Sequence, residues 1–565
     1  MIKNFFKIAW RNLLNNRSYF FINTFGLALA LTVSFLMLLW VNDEWQMDKF
    51  HENDKSLYSI KRTVPIEEGV LDVYHSSSYP LLKAAKEQLP EVEEYLVLGR
   101  TFEDNLIVDN LAYRAPGTFA NSDYFSGFSF PVLQGDVSQL DKKPETIAIS
   151  KRLAKNIWGE DWSTLAIGKS IEIMDNATFT VVAVYEDFPS SSSIQNDFYY
   201  SFQNVLNNNK QLLNWEVNRI HGVLLLKENA NATIVSTKLN KLFQSNIAGK
   251  NKEGCFLQKY SDNYLYGNFD EKAVVRGGRI DYVRIFAIAA IFLLIVSCVN
   301  FVNLSTVHAT KRSGEIGVRK VVGARKNTLI AQFLTQTAII TFIAFALAFC
   351  TTILILPYVN GFVGKVLYLD LSNPIFWSIV FGIFVFTILL SGVYPAIVIS
   401  SFKPVEALKG SRQEKKDTIS LRKGLVVLQF GLTVLLMVSA IIVKQQVNYI
   451  NEKDLGIARD HIVSMHQDAK LTEKYETLRN ELIASNSIED VTLAGPSPLN
   501  INASSSGVVW PKKEVAQENI EFSLLWTAYN FPKVFDIETV AGSYYREGSM
   551  DTLIFVINDK AIKIM

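Results

Sequence analysis

The sequence predicts an integral membrane protein in which an α-helical bundle of five spans carries large α+β domains outside the membrane. Hydrophobic residues make up 49% of the 565 positions, and many of them fall in five stretches without any Asp, Glu, Lys or Arg. A helix of about 20 residues crosses a hydrocarbon core roughly 30 Å thick, and each stretch is long enough to do so. The 56 basic residues balance 55 acidic ones, so no overall positive charge attracts nucleic acid.

The predicted spans occupy residues 18–42, 284–308, 328–357, 374–400 and 424–443. Their orientation follows from the flanking charges, because Lys and Arg concentrate in the cytoplasmic connections of membrane proteins. Residues 1–17 contain four basic side chains and no acidic one, whereas Asp43 and Glu44 follow the first span directly. The N-terminus is therefore expected in the cytoplasm.

The later connections continue this alternation. Basic residues outnumber acidic ones in residues 311–326 and in residues 402–422, so both connections are expected in the cytoplasm. Residues 43–281, which we call the outer domain, and residues 444–565 are then expected on the outer side. All five spans fit one orientation.

Residues 1–17 have the pattern of an amphipathic helix. Lys3, Lys7 and Arg11 lie off a stripe of apolar residues with helical spacing, namely Ile2, Phe5, Phe6, Ala9, Trp10, Leu13 and Leu14. Such a helix lies on the inner leaflet of a membrane. It serves either as a topology anchor or as a coupling element, and the sequence leaves both open.

The outer domain has the pattern of a mixed α and β fold. Residues 56–64, 105–114 and 146–150 are predicted strands, and residues 151–158 are a predicted helix that Ser150 caps. Two further strands, residues 170–174 and 178–185, are predicted to form a hairpin. With nearly 240 residues, the outer domain is long enough to bury its own core.

An internal similarity links the two outer segments. Phe-Gly-Leu occurs at residues 25–27 and again at 430–432, and residues 146–158 resemble residues 553–565, so the offset is about 405 to 407. A constant offset predicts a duplicated permease plan whose second half is incomplete. Counterparts of residues 159–410 are missing, so we expect a shortened product that ends within the second outer domain.

Patterns for catalysis and for cofactor or metal binding are absent. The nearest match to the phosphate-binding G-x-x-x-x-G-K-[ST] ends at Ser170 but has Ser163 in place of the first glycine. H-E-x-x-H and G-x-S-x-G do not occur, and apart from Arg284 at the edge of the second span the spans carry no charged side chain for ion coupling. We therefore predict no catalytic, cofactor-binding or metal-binding residue, and the chain is not expected to be an enzyme.

Residues 311–326 form the most distinctive connection. Glu315 and Arg319 are one helical turn apart and can pair. Apolar contact would come from Ile316, Val318, Val321 and Val322, and turning or close approach from Gly314, Gly317 and Gly323. A charged segment with an apolar minority suits docking onto a soluble protein, although a plain positive connection between two spans explains the composition equally well.

These residues carry a resemblance to a known family. K-R-S-G-E-I-G-V-R-K at residues 311–320, Y-P-A at 394–396 and P-V-E-A-L-K at 404–409 resemble motifs of the FtsX-like permeases of ABC transporters. This family includes the MacB type and the lipoprotein-releasing permeases. The outer domain is similar to the MacB-like periplasmic core domain, with a strand and D-F-P at residues 182–189.

The resemblance implies a permease subunit in the bacterial inner membrane, powered by a separate dimer of cytosolic P-loop ABC ATPases. ATP and Mg would bind that partner, and this chain would hold no cofactor. Movement of the ATPases would reach the periplasmic domains by mechanotransmission. The residues implied in docking the ATPase are Glu315, Gly317, Arg319, Lys320, Gly323 and Arg325.

The implied activity is export or extrusion of an antimicrobial peptide, an antibiotic or a lipoprotein. Two alternatives remain: a non-transporting regulator of an envelope enzyme such as a cell-wall hydrolase, and an outer sensor that signals to a kinase. Further expected partners are membrane lipid, a second permease copy or a periplasmic adaptor, and no nucleic acid.

Overall fold

The structure is a computed structural model that describes residues 2–67, 69–173, 177–247, 253–311, 313–400, 416–465, 469–501, 503–505, 508–511, 513, 520, 522–548 and 554–565. Two compact units divide the chain. The first comprises Met1–Glu103, Arg114–Lys169 and Thr180–Lys444, and the second comprises Asp104–Tyr113, Ser170–Phe179 and Gln445–Met565.

The described helices are α1 (Ile2–Asn15), α2 (Arg17–Gln46), α3 (Tyr79–Gln88), α4 (Asp123–Gly127), α5 (Gln139–Lys142), α6 (Lys151–Trp158), α7 (Trp162–Leu165), α8 (Phe202–Asn208), α9 (Ala232–Asn246), α10 (Arg279–Lys311), α11 (Ser313–Val321), α12 (Lys326–Val363), α13 (Pro374–Ser400), α14 (Lys416–Glu452), α15 (Ala469–Glu473), α16 (Tyr475–Ala484), α17 (Phe531–Val534) and α18 (Asp559–Ile564).

The described strands are β1 (Leu57–Glu67), β2 (Val70–Tyr74), β3 (Ser77–Ser78), β4 (Val92–Leu98), β5 (Phe102–Val108), β6 (Leu111–Ala120), β7 (Val132–Gly135), β8 (Thr146–Ser150), β9 (Ser170–Ile173), β10 (Ala177–Tyr185), β11 (Phe198–Ser201), β12 (Asn218–Leu226), β13 (Gly254–Lys259), β14 (Asn268–Phe269), β15 (Val275–Gly277), β16 (Ala494–Gly495), β17 (Ser504–Ser505), β18 (Phe522–Ser523) and β19 (Trp526–Thr527).

Among the described residues, five helices are long and apolar enough to cross a membrane, which confirms the five predicted spans. They cover Arg17–Gln46, Arg279–His308, Lys326–Val363, Pro374–Ile397 and Val426–Glu452. Residues 401–415, which include the predicted P-V-E-A-L-K motif and most of the predicted connection 402–422, lie outside the described residues.

Four of these helices pack against one another through small and large apolar side chains. Leu31 of α2 and Ala344 and Ala348 of α12 are buried in one cluster with Leu294 of α10. Polar contacts join the same helices, because the Ser34 hydroxyl donates to the carbonyl of Ala290 over 3.2 Å. Small residues that allow close approach and interhelical hydrogen bonds are typical of membrane bundles. The described side chains of the fifth apolar helix, α14, are mostly exposed.

Helix α1 confirms the predicted helix at the N-terminus and shows two apolar faces. Ala9 and Leu13 are buried against Phe301, Ile339 and Ile340 of α10 and α12. Trp10, with 43% of its surface exposed, belongs to the other face. The predicted position of this helix on the inner leaflet stays a prediction.

Within the first unit, the described residues of the outer domain form the short pair β14–β15 and one large sheet. Its strands follow the order β7-β10-β8-β11-β6-β4-β12-β1-β13, with β2 paired to β1 and β3 paired to β12. Helices α3 and α9 cover one part of the sheet, where Leu82, Leu224 and Leu239 are buried together. A second core is aromatic and contains Tyr124 and Tyr199, whose hydroxyl groups are 2.7 Å apart. The predicted α+β class is confirmed.

Local predictions in the outer domain are mostly confirmed. Strand β8 and helix α6 have the predicted bounds, and the Ser150 hydroxyl accepts a hydrogen bond from the Leu153 amide over 3.0 Å as the predicted cap. The single strand predicted at residues 105–114 is wrong. Asp109 and Asn110 both have positive φ, 50° and 64°, so the chain reverses there and forms a hairpin of β5 and β6.

The second unit includes β9 and parts of β5, β6 and β10, at Asp104–Tyr113 and Ser170–Phe179. The rest of its described residues contain little regular structure. Among its described residues after 452, the strands are the short pairs β16–β19 and β17–β18. Helix α18 begins as α6 does, because the Asn558 side chain accepts a hydrogen bond from the Ala561 amide over 2.9 Å. Residues 554–558 form no strand, although the internal similarity relates them to β8. The duplicated plan stays a prediction.

Candidate functional site

The connection between α10 and α12 contains helix α11, which we call the connecting helix. It is held by packing at its centre: Ile316 is buried with Leu329 of α12 and contacts Ala324 and Phe333. A turn with Gly323 at φ +101° follows the helix, a conformation that favours glycine. The connecting helix is therefore folded back against the start of α12.

Two basic residues of the connecting helix fix it to the neighbouring helices. Arg319 donates to the Gln332 side chain of α12 over 3.1 Å and to Glu315 over 2.6 Å. Lys320 donates to the carbonyl of Ser400, the last residue of α13, over 2.8 Å. Burial, and then the charge of Lys326, lowers the pKa of Lys320. The connecting helix thus bonds to the ends of both α12 and α13.

The exposed face of the connecting helix is apolar and is bordered by basic residues. Val318, Val321 and Val322 expose 51%, 63% and 83% of their surface. Arg325 and Lys326, which begin α12, are also exposed. An exposed apolar patch next to positive charge fits a protein-protein contact.

The structure places the predicted docking residues in different surroundings. Lys320 bonds to the end of α13, as described above. Glu315 and Arg319 form the predicted pair, and Arg325 is exposed beside the apolar face. Gly317 is buried, and Gly323 shapes the turn. Ile316 makes the expected apolar contact, but on the inner side, because it is only 5% exposed and packs against Leu329. That the predicted docking residues contact an ATPase stays a prediction. These residues are Glu315, Gly317, Arg319, Lys320, Gly323 and Arg325.

A second cluster lies at the opposite ends of these helices, beside the outer domain. The amino group of Lys365, in the α12–α13 loop, donates to Asp43 over 3.0 Å and to Glu44 over 2.6 Å. Arg279, the first residue of α10, donates to the Tyr264 hydroxyl over 2.7 Å and lies 4.0 Å from Glu44. We call Lys365, Asp43, Glu44, Tyr264 and Arg279 the Lys365 cluster. It joins the end of α2, the start of α10 and the loop after α12.

The Lys365 cluster is rigidly positioned. Asn360, near the end of α12, exchanges hydrogen bonds of 3.0 Å and 3.1 Å with the carbonyl and amide of Leu367, which shapes the loop around Lys365. Glu44 is only 2% exposed, so its carboxylate contacts Lys365 in place of water. Burial alone would lower the pKa of Lys365, but hydrogen bonds to Glu44 and Asp43 outweigh burial and raise it. Lys365 therefore stays protonated.

This cluster was not predicted as a site. Asp43 and Glu44 served only to orient the first span, because their partner lies more than 300 positions away. One signal was available: Lys365 is the only Lys or Arg between residues 327 and 402. A lone cation between two apolar spans predicts a specific partner.

The structure also shows the incomplete phosphate-loop pattern and the surroundings of possible metal ligands. Gly168 has φ +82° and leads through Lys169 into β9, so this part of the incomplete phosphate-loop pattern is a turn before a strand. Within the described ranges, no group of three or more His, Cys, Asp or Glu side chains could hold a metal ion.

Two family models match the chain. Residues 20–242 match the MacB-like periplasmic core domain, and residues 287–404 match the FtsX-like permease C-terminal. Together the two matches take in more than half of the chain. They define a multi-pass membrane permease with a periplasmic domain.

The chain belongs to the ABC transporter permeases of the MacB and FtsX type. A macrolide export ATP-binding/permease protein MacB of Chlorobium phaeobacteroides is 34% identical over 110 residues, which are 19% of this chain and 16% of that protein. The MacB of Campylobacter jejuni is 20% identical over 310 residues, 53% of this chain and 44% of that protein. The chain thus spans less than half the length of these curated relatives.

A solved structure, the periplasmic region of MacB from Actinobacillus actinomycetemcomitans, is also similar to part of this chain. It is 15% identical, with a TM-score of 0.28, and the match covers 37% of this chain and 90% of that structure.

Proposed function

We propose that this chain is the membrane subunit of an ABC transporter whose ATP is hydrolysed by a separate dimer of cytosolic P-loop ATPases. The observation that carries the proposal is the connecting helix. It is fixed to α12 by Ile316 and Arg319 and to α13 by Lys320, while Val318, Val321 and Val322 face outward. A helix anchored in this way passes a displacement of its exposed face to both spans.

Mechanotransmission then runs along α12. Leu329 and Gln332 receive the connecting helix at one end, and Asn360 holds the loop of Lys365 at the other. The Lys365 cluster ties that loop to the end of α2 and the start of α10, the two helices that enter and leave the outer domain. Two ATPase states that contact the connecting helix differently would therefore favour two arrangements at the base of the outer domain.

We place the protein in the bacterial inner membrane, with export or extrusion of an antimicrobial peptide, antibiotic or lipoprotein as its activity. The relatives with the word export in their names support this cargo class. ATP and Mg would bind the partner ATPase, and a second permease copy or a periplasmic adaptor would complete the transporter.

The test is purification of the tagged full chain from its native membrane in mild detergent, with mass spectrometry of stoichiometric partners and an ATPase assay. A P-loop ATPase should co-purify, and Val322→Asp should release it. Val274→Asp is the matched control, because Val274 of the outer domain is also well exposed, at 59%. An ATPase that remains bound to Val322→Asp would reject this docking face.

The cargo is tested on the same complex. ATP hydrolysis that increases with an added antimicrobial peptide or antibiotic supports export. A bound ATPase that controls a cell-wall hydrolase and responds to no such compound would instead support the regulatory function.

A further inference from the structure

Strand β1 changes neighbours along one edge at Lys61. Ser59 pairs with Val223 of β12, whereas Arg62 pairs with Tyr74 of β2. The other edge of β1 is paired with β13 on both sides of Lys61, from Tyr58 to Thr63. Since β12 and β2 diverge beside Lys61, the sheet leaves a gap there, and a cavity of about 130 Å³ opens into it.

Three basic side chains line this cavity, which we call the Lys61 pocket. Lys61 is 1% exposed, and its amino group lies 2.6 Å from Nδ1 of His75. His75, directly after β2, and His221 of β12 form the rim, where each residue keeps part of its surface exposed while the surrounding protein shields the rest. Asp48 also lines the pocket, and its carboxylate accepts a hydrogen bond from the Ser193 amide over 2.8 Å. Within the described part of the chain, no carboxylate forms an ion pair with Lys61.

The basic groups of the pocket have pKa values below their ordinary ones. Burial lowers the pKa of Lys61 to about 7. Burial, and then Lys61 and His221, lowers the pKa of His75 to about 4, and burial followed by Lys61 and Arg100 lowers the pKa of His221. Burial raises the pKa of Asp48, with the Ser193 hydrogen bonds acting against it. Although Asp48 lines the pocket, no carboxylate offsets the lowering of the pKa of Lys61, His75 or His221.

The hydrogen bond between Lys61 and His75 also determines which N–H groups remain available to a ligand. If the Lys61 amine donates to Nδ1 of a neutral His75, Nε2 of that ring carries the hydrogen. The amine keeps further N–H groups of its own. The pocket therefore combines a buried cationic group with an imidazole donor.

We propose that the Lys61 pocket binds a small oxyanion, the carboxylate or phosphate group of a ligand that reaches the outer domain. The oxygen atoms accept hydrogen bonds from Lys61 and from the histidines at the rim. Drug-sized ligands occupy cavities of about 300–1,000 Å³, so this pocket takes an anionic end group rather than a whole molecule of that size. The site does not depend on the proposed ATPase partner.

The test titrates the full-length protein in detergent with ¹³C-acetate and, separately, with inorganic phosphate, and follows ligand line broadening by NMR at constant ionic strength. Wild-type protein should broaden at least one of the two signals saturably. Lys61→Met should weaken binding at least tenfold. Lys227→Met is the matched control, because Lys227 is an exposed lysine directly after β12, and it should bind as the wild type does.

A pH series tests the proposal without any variant. Between pH 6 and pH 8 the protonated fraction of a group with a pKa of about 7 falls about tenfold, and acetate stays charged. Acetate binding by the wild type should weaken by about the same factor.

The outcomes separate cleanly. Binding of acetate alone assigns a carboxylate ligand, and binding of phosphate alone assigns a phosphate ligand. The proposal would be overturned if Lys61→Met bound the ligand as tightly as the wild type does, or if the affinity did not change with pH. It would also be overturned if the line broadening did not saturate and was the same in a chloride-matched sample.

Discussion

Two lysines of the first unit, Lys365 and Lys61, differ in their burial and in the carboxylates around them: the Lys365 side chain keeps 23% of its surface exposed, whereas Lys61 is 1% exposed. Lys365 donates to Asp43 and Glu44, and the pKa of its amino group is raised. Lys61 contacts His75, and burial lowers its pKa to about 7. Burial alone therefore does not decide the charge of a lysine, because the partner groups decide whether burial is offset. One lysine fastens loops and helices together, and the other is available to a ligand.

The largest expected effect is the loss of Lys365. Lys365→Met leaves Glu44, which is 2% exposed, without its closest cation, and breaking a buried pair in this way costs about 3–5 kcal/mol. The midpoint of thermal unfolding in detergent should fall clearly. The double variant with Glu44→Gln is the control and should recover part of the loss. An unchanged midpoint in the single variant would show that the cluster is not a fastening.

The second largest expected effect is an increase in stability on loss of Lys61. Lys61→Met removes a buried amine whose pKa burial lowers to about 7, so at pH 7 without ligand we expect a gain of up to about 4 kcal/mol in the free energy of unfolding. The same thermal experiment measures it, with Lys227→Met as the neutral comparison. Destabilisation by Lys61→Met would mean that the amine already has a favourable partner and would remove the contrast between the two lysines.

A third, smaller effect is the pH dependence of stability. The pKa of Lys61 is about 7 in the folded chain against an ordinary value of 10.5, so between these values the unfolded chain binds more protons. Stability should therefore rise with pH in this window, by up to about 1.4 kcal/mol per unit. Unfolding midpoints at pH 7, 8 and 9 would show the rise in the wild type, and Lys61→Met should flatten it. Parallel curves for the two proteins would contradict the low pKa.

The smallest effect belongs to an exposed pair. Glu315 and Arg319 are 42% and 36% exposed, and such a pair on one helix contributes no more than about 0.5 kcal/mol. Glu315→Arg should leave insertion and stability almost unchanged while it uncouples ATP hydrolysis from function, and the swap Glu315→Arg with Arg319→Glu should restore coupling. If Glu315→Arg prevented insertion, the connection would act only in topology.

The sequence was sufficient for the features that depend on neighbouring residues. The five spans, the helix near Glu315 and the capped helix after Ser150 are all present, because apolar runs, i to i+4 pairs and caps are local. The hairpin at Asp109 and Asn110 was missed because two positive φ angles without glycine carry only a weak signal.

The remaining features depend on distant residues. Lys61 lies in a predicted strand as an ordinary surface lysine would, and its burial arises from the divergence of β12 and β2, which pairing alone determines. The inward direction of Ile316 depends on Leu329 of α12. The partners of Lys365 come from a helix more than 300 positions earlier. Neither composition nor spacing specifies such contacts.

The length of α12 has a mechanical consequence. Its 38 residues, at about 1.5 Å each, make a rod of about 57 Å, nearly twice a hydrocarbon core of about 30 Å. Leu329 lies near one end and Asn360 near the other. A tilt of only about 10° swings the two ends of such a rod by about 10 Å relative to each other. On the proposed mechanism, a tilt of α12 would therefore turn a push at one face of the membrane into a movement of similar size, in the opposite direction, at the other face.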